Sequence, residues 1–286
     1  MPKVSVGILT FNRRAAVLKA IQSVYDQGLA DVEIVVVDSA STDGTRDAVR
    51  TRFPHVKLIR LPRNLGCVGG RNHVYANCNG NFIVNVDDDG FLGEAALQRI
   101  IDVFESDPLI GIISMRRMFT DELGSEQTAG DGKQEVGSFS GGLSAFRRVM
   151  LDEIGYYPED FFYFSEEAHL AIRALDAGYK IVHAPDVIMW HPRLGPSSET
   201  RWDYYRLRNP LLVVLQLFPG WLLVKYLVLR TGSYFLVSLK RGTPHQYLRA
   251  VGHLFWHLPA TLRERRPCSA TAVRKYLRLT GRAVSG

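Results

Sequence analysis

Short apolar runs alternate with segments of helical spacing through the first two-thirds of the chain. Val4 to Leu9 is one such run, and Arg13 to Gln27 then carries Ala16, Val17, Ala20, Ile21 and Val24 on one helix face. A second run, Ile34 to Val37, is β-branched throughout and ends at Asp38. Ser41 to Thr45 then supplies turn and N-cap chemistry for a helix from Thr45 to Phe53. The pattern repeats with a strand over Val56–Leu61, a helix over Gly69–Cys78 and a strand over Asn81–Val86. Beyond Asp87 it predicts a helix at about Glu94–Glu105, a strand over Ile110–Met115, a helix over Ser165–Ala177 and a strand over Lys180–His183. The polar stretch from Thr120 to Gly137 holds four glycines and little apolar content, so a mobile loop over a site is expected there. No internal repeat is present. Strands alternating with helices imply an α/β fold with a mostly parallel sheet and ligands at the carboxyl ends of its strands.

From Pro210 the pattern changes. The 20 residues to Leu229 carry one charge, Lys225, nearly enough for a bilayer span, but Pro219-Gly220 interrupts them. Two short amphipathic helices at a membrane interface are expected, with Trp221, Tyr226, Tyr234 and Trp256 at headgroup level. A helical cap packed on the domain is the plainer alternative, and a spanning helix a third.

Charge sharpens this division. The formal net charge of +6 over 286 residues splits into −7 for residues 1–191 and +13 for residues 192–286. The basic end fits an anionic membrane surface; no nucleic-acid reading motif accompanies it, so no nucleic-acid partner is expected. A hydrophobic content of 46% excludes a disordered or fibrous chain. Cys67, Cys78 and Cys268 show neither CxxC pairing nor metal spacing, and Met1-Pro2-Lys3 leads straight into a strand pattern without a signal-peptide core. A cytoplasmic protein, peripheral on the inner face of the membrane, is expected.

The chemistry concentrates at Asp87-Asp88-Asp89, at the end of a buried strand. Adjacent carboxylates repel one another, and hard oxygen ligands suit Mg²⁺ or Mn²⁺ carrying a phosphorylated ligand; a polar turn or N-cap cluster is the alternative. Asp38, also at a strand end, can accept hydrogen bonds from a base or ribose, or simply start a turn. Asn64 to Asn72 places glycines before a helix with Arg71 in its first turn, an arrangement suited to a diphosphate or merely to a tight turn. Glu166 and Glu167 open a helix with core face Ala168, Ala171, Ile172 and Leu175, where they could serve only the helix dipole. Trp202, Tyr204 and Tyr205 could stack on a sugar or lipid, with core packing the commoner role of such rings.

Val6 to Arg13, Asp38 to Thr45, Asn64 to Asn72 and the Asp triplet stand in the order seen in family 2 glycosyltransferases of the GT-A fold. The chain most resembles their bacterial rhamnosyltransferase-like branch, over about residues 3–210. The resemblance implies that Thr10, Asn12 and Asp38 line a nucleoside pocket, that Arg71 reaches the base or diphosphate, and that Asp87, Asp88 and Asp89 form the donor and metal end. Asp89 would be the metal ligand within a DxD formed by Asp87 and Asp89. His191, in Met189-Trp190-His191-Pro192, would lie near the metal or diphosphate. Gly141 and Gly142 would flank the acceptor. Phe161 to Arg173 resembles the family's acidic pair and following helix, so Glu167 inherits the catalytic base, with Glu166 its hydrogen-bonding neighbour. Glu stands where the family usually has Asp, and His169 where another Asp is common, which points to an altered acceptor pocket.

The expected organisation is a nucleotide-sugar half (1–92), an acceptor and catalytic half (93–209) and a basic, amphipathic helical region (210–286). The expected activity is metal-dependent, inverting transfer of a hexosyl or deoxyhexosyl group. The donor would be a nucleoside-diphosphate sugar (UDP, dTDP or GDP) and the acceptor a glycan, lipid-linked or small molecule, in cell-surface polysaccharide or glycolipid assembly. A sugar nucleotidyltransferase and a noncatalytic sugar-nucleotide-binding protein are the alternatives; the first lacks its Gly-rich, Arg-containing loop here.

Overall fold

The computed structural model describes residues 2–122, 132–193 and 202–281. Four parallel strands, β1 (Val4–Thr10), β2 (Val32–Asp38), β3 (Lys57–Arg60) and β4 (Phe82–Asp87), are joined by α1 (Arg14–Tyr25), α2 (Thr45–Arg52) and α3 (Gly66–Asn77). The second half comprises β5 (Phe91–Leu92), α4 (Ala96–Ser106), β6 (Ile110–Phe119), β7 (Gln134–Glu135), β8 (Ser144–Arg147), α5 (Arg148–Ile154), α6 (Glu166–Asp176) and β9 (Lys180–His191). The sheet runs β3-β2-β1-β4-β8-β6-β9-β5, with β7 pairing β9. β8 is antiparallel to both β4 and β6 and so welds the halves into one sheet.

The apolar run Ile34–Val37 of β2 is uninterrupted because helices cover both faces of the sheet there. In β2, Val35 and Val37 enter the core layer shared with α3, α5 and α6, while Ile34 and Val36 enter the layer under α1 and α4. Gly7 lets α3 lie close on β1: a Cβ there would fall 2.2 Å from Val74 Cγ1.

Several expectations change. Asn64 Oδ1 accepts the Gly66 N–H at 2.8 Å and Gly66 takes a φ of +75°, so α3 starts at Gly66 and Arg71 lies in its second turn, not its first. The last expected strand continues to His191, crossing an irregularity in its pairing with β6. Part of the polar stretch is ordered: Gln134 and Glu135 pair with β9, and Lys275 holds Glu135 at 2.6 Å. Residues 123–131 of that stretch lie outside the described residues.

Four helices complete the chain: α7 (Asp203–Leu217), α8 (Gly220–Lys240), α9 (Pro244–Glu264) and α10 (Ala270–Leu279). Pro219-Gly220 does separate two helices, but they are not a pair of short interfacial pieces. α7 is core, burying Leu211 to Leu215 between α6 and α9, because its apolar residues surround the helix rather than forming one stripe. α8 runs 21 residues with much of its apolar surface exposed. The position 209/210 falls inside α7, and α10 packs Val273, Tyr276 and Leu277 into the same core as α6.

Candidate active site

Parallel pairing carries the functional side chains to one end of the sheet: Thr10 is in register with Asp38, and Leu9 with Asp87. There Asp87, Asp89 and His191 each offer a ligand atom within 4.8 Å of the others. His191 Nε2 lies 3.1 Å from Asp89 Oδ1 and 3.6 Å from Asp87 Oδ2, while its Nδ1 lies 2.8 Å from the Pro192 carbonyl. The Nδ1 contact leaves Nε2 facing the carboxylates, the arrangement that orients a ligating imidazole. Two carboxylates and an imidazole at this spacing fit a divalent cation.

Unneutralised carboxylates here raise one another's cost, and the charges respond. Burial pushes the Asp88 carboxyl up to about 6, against the pull of Arg13. Burial acts the same way on Asp89, but His191 and Arg13 outweigh it and hold that carboxyl below its ordinary range. His191 is raised, first by its hydrogen bond to Asp89. Arg13 caps the cluster, pairing with Asp89 and lying 3.7 Å from Asp88.

Arg71 approaches from the other side. Its Nη2 donates to Asp87 Oδ1 at 2.7 Å, and its buried Nε and Nη1 have no partner among the described residues. Gly142 packs against the same carboxylate, so a Cβ there would stand 1.9 Å from Asp87 Oδ2. At Gly141 a Cβ would meet Arg71 Nη1 at 3.0 Å and Glu167 Oε1 at 3.2 Å. The two glycines thus sit between the carboxylate cluster and the glutamate pair. Asn85 fixes their backbone, donating from Nδ2 to the Gly141 carbonyl at 2.8 Å.

Glu167 Oε1 accepts the Gly141 N–H at 3.3 Å. Glu166 is buried, with Oε2 unpartnered, and burial together with the neighbouring Glu167 pushes its carboxyl up to about 8. The backbone before the pair is strained: Phe162, Phe164 and Ser165 have φ of 55°, 71° and 67°. Asn209, fully buried on α7, holds it, its Nδ2 lying 2.8, 2.7 and 2.9 Å from the carbonyls of Phe161, Tyr163 and Phe164. His169 points away into the core against Phe161, and burial drives its pKa down to about 3. Phe162 stacks with Trp202 and Tyr205, so those rings wall the same segment.

Beside the cluster, Asp38 is fully buried; its Oδ1 accepts the Ser41 N–H at 3.0 Å and its Oδ2 has no partner among the described residues. Thr10 is buried alongside. Asn12 holds a left-handed φ of 52° and accepts the Thr42 N–H at 2.8 Å, tying the loops after β1 and β2 together.

The model of the family described as Glycosyl transferase family 2 matches residues 5–169, more than half of the chain. The chain belongs to that family. Among the relatives of this family 2 member, a Rhizobium sp. N-acetylglucosaminyltransferase is 28% identical over 80% of this chain and 57% of its own length. A Campylobacter jejuni GalNAc(5)-diNAcBac-PP-undecaprenol beta-1,3-glucosyltransferase is 35% identical over 35% of this chain and 34% of its own. The chain thus spans between a third and two-thirds of the length of these curated relatives. The fold is GT-A: S. aureus TarS 1–349, solved with UDP-GlcNAc, superposes with a TM-score of 0.64 at 18% identity, covering 88% of this chain and 80% of that one. The Pyrobaculum calidifontis mannosyltransferase PcManGT, solved with GDP-Man and Mn²⁺, gives 0.61 at 20% identity, covering 98% and 84%.

Three side chains at this family 2 site carry no signal in the sequence reading. Asn85 and Asn209 are single asparagines whose partners lie 56 and 48 residues away. Arg13 ends the Val6–Arg13 segment, but nothing local shows that it reaches Asp89, 76 residues on.

Proposed function

We propose that this chain is a metal-dependent, inverting glycosyltransferase that moves a sugar from a nucleoside-diphosphate donor to an acceptor hydroxyl. The observation that carries the reading is the convergence of Asp87, Asp89 and His191 with Arg71 on one side of Gly141-Gly142 and Glu167 on the other. Asp87, Asp89 and His191 would hold Mg²⁺ or Mn²⁺, which supplies positive charge for a departing diphosphate. Arg71 adds two unpartnered donors at the same place. Asp38 Oδ2 is a buried acceptor suited to a base or ribose, with Thr10 beside it in register on β1.

Glu167 takes the proton of the acceptor hydroxyl as its oxygen bonds to the sugar C1 and the bond from C1 to the diphosphate oxygen breaks. Attack from the glutamate side, opposite the leaving group, inverts C1. Glu166, protonated at neutral pH, adds no second negative charge beside that base.

A lipid-linked or cell-surface glycan acceptor, met from the cytoplasmic side by a peripheral enzyme, follows from three supports. The C. jejuni relative is named for a PP-undecaprenol substrate, a Rhizobium meliloti relative is the succinoglycan biosynthesis protein ExoO, and the cysteines of this chain are free. Incubation with UDP-, dTDP- and GDP-sugars, with and without Mn²⁺ or Mg²⁺, tests the activity. Metal-dependent release of nucleoside diphosphate is expected. Its absence across the panel, or release of pyrophosphate instead, overturns the reading.

A further inference from the structure

We infer that the outward face of α8 and α9 seats the protein flat on an anionic lipid bilayer, with α8 lying in the interfacial plane. This deepens the peripheral placement proposed above and rests on it. The apolar residues Trp221, Val224, Val228 and Phe235 recur at the spacing of one helix stripe, and each is at least 42% exposed. On α9, Leu248, Phe255 and Trp256 are exposed by 67%, 73% and 84%. So large an apolar face on two adjacent helices is costly in water unless something covers it.

α8 has the length and composition to cross a membrane, with a mean hydropathy of 1.4. Its two ends exclude crossing. At the start, Leu222 and Tyr226 are buried and Tyr226 packs its ring 5.4 Å from Phe218 at the end of α7. Just past the other end, Arg241 and Thr243 reach Asp203, the first residue of α7, at 3.0 and 3.2 Å. Both ends are therefore tied to opposite ends of α7, which is core of the catalytic domain, and α8 must run back along it.

Charge identifies the cover. Residues 220–263 hold six Lys and Arg and no Asp or Glu. Lys225 lies 5.5 Å over the Trp221 ring and Arg230 6.0 Å over Tyr234, so cationic heads accompany interfacial rings. An anionic headgroup layer satisfies both the apolar stripe and its basic rim, whereas a second copy would set like charges against each other.

Flotation with phosphatidylglycerol/phosphatidylethanolamine vesicles and with phosphatidylcholine vesicles tests the inference, beside the double substitution Val228→Asp/Trp256→Asp, both sites being exposed. Binding to the anionic vesicles is expected, weakened about tenfold by raising salt to about 0.5 M and about tenfold or more by the double substitution, with an unchanged thermal melt. Brominated lipids of graded depth should quench Trp221 and Trp256 at one shallow level. No binding by the unaltered chain overturns both this inference and the peripheral placement. Equal binding by the variant, deep quenching of one Trp alone, or a lipid-free dimer that the substitutions dissolve overturns this surface only. Donor hydrolysis reads none of these, so the transferase reading stands or falls separately.

Discussion

Arg71 Nη2 lies 2.7 Å from Asp87 Oδ1 while the two other nitrogens of its guanidinium have no partner among the described residues. An unsatisfied buried donor costs about 1–3 kcal/mol, and more when charged, which is what makes Arg71 a candidate to meet an anionic ligand. Arg71→Lys keeps the charge but loses the fork. It should weaken nucleoside-diphosphate binding by about tenfold or more, measured by calorimetry; unchanged affinity would remove Arg71 from the donor site.

Gly142 has no strained φ, so its identity is set by space alone. Gly142→Ala brings a methyl group to 1.9 Å from Asp87 Oδ2 and must push that carboxylate off Arg71 and away from His191. Divalent-metal affinity and turnover should both fall, by about a hundredfold in turnover, with little change in the melt. A variant with ordinary metal dependence would show that Asp87 is not placed as argued.

Glu167→Gln should abolish transfer, by about a thousandfold or more, while nucleotide affinity stays within a few-fold. Comparable turnover would assign the base elsewhere.

Glu166 gives a pH signature of the opposite kind. Its folded carboxyl is raised from 4.5 to about 8, so between those values the native state binds more protons than the unfolded one, and this group's linkage makes stability fall as pH rises. Glu166→Gln removes that slope. The melting temperature of the variant relative to the unaltered chain should therefore rise from pH 5 to pH 8, by a few degrees; parallel curves would place an ionised Glu166 in the folded protein.

Asn209→Leu leaves the carbonyls of Phe161, Tyr163 and Phe164 without their donor and should cost about 1–3 kcal/mol in stability. Because Asn209 helps restrain the positive-φ backbone at Phe162, Phe164 and Ser165, turnover should fall more than donor KM rises. A loss confined to thermal stability would make the clamp purely structural.

How far the sequence speaks depends on the range of each interaction. β1, β2 and β4 are legible because strands buried on both faces are predominantly apolar, and a carboxylate at the end of β2 or β4 stands out. Asp87 and Asp89 are conspicuous for that reason, and Glu166 and Glu167 as an acidic pair opening a helix. What closes the site is not local: β8 is antiparallel through pairing with strands on either side of it, and Asn85, Asn209 and Arg13 act across 48 to 76 residues. The C-terminal helices misled the pattern because an all-round apolar segment serves a core or a membrane equally well. Only the packing of α7 separates the buried Leu211–Leu215 from the exposed stripe of α8.

The Asn209 clamp also bears on what protease digestion would leave behind. A cut between α7 and α8 severs one peptide bond, yet Asp203 would still grip Arg241 and Thr243, and α10 would still lie on α6. The two fragments should migrate together under native conditions and part only in denaturant. Removing everything after residue 209 is a different operation: it strips α7 of Leu211–Leu217 and leaves Asn209, which holds the turn before Glu166, on a fraying stub.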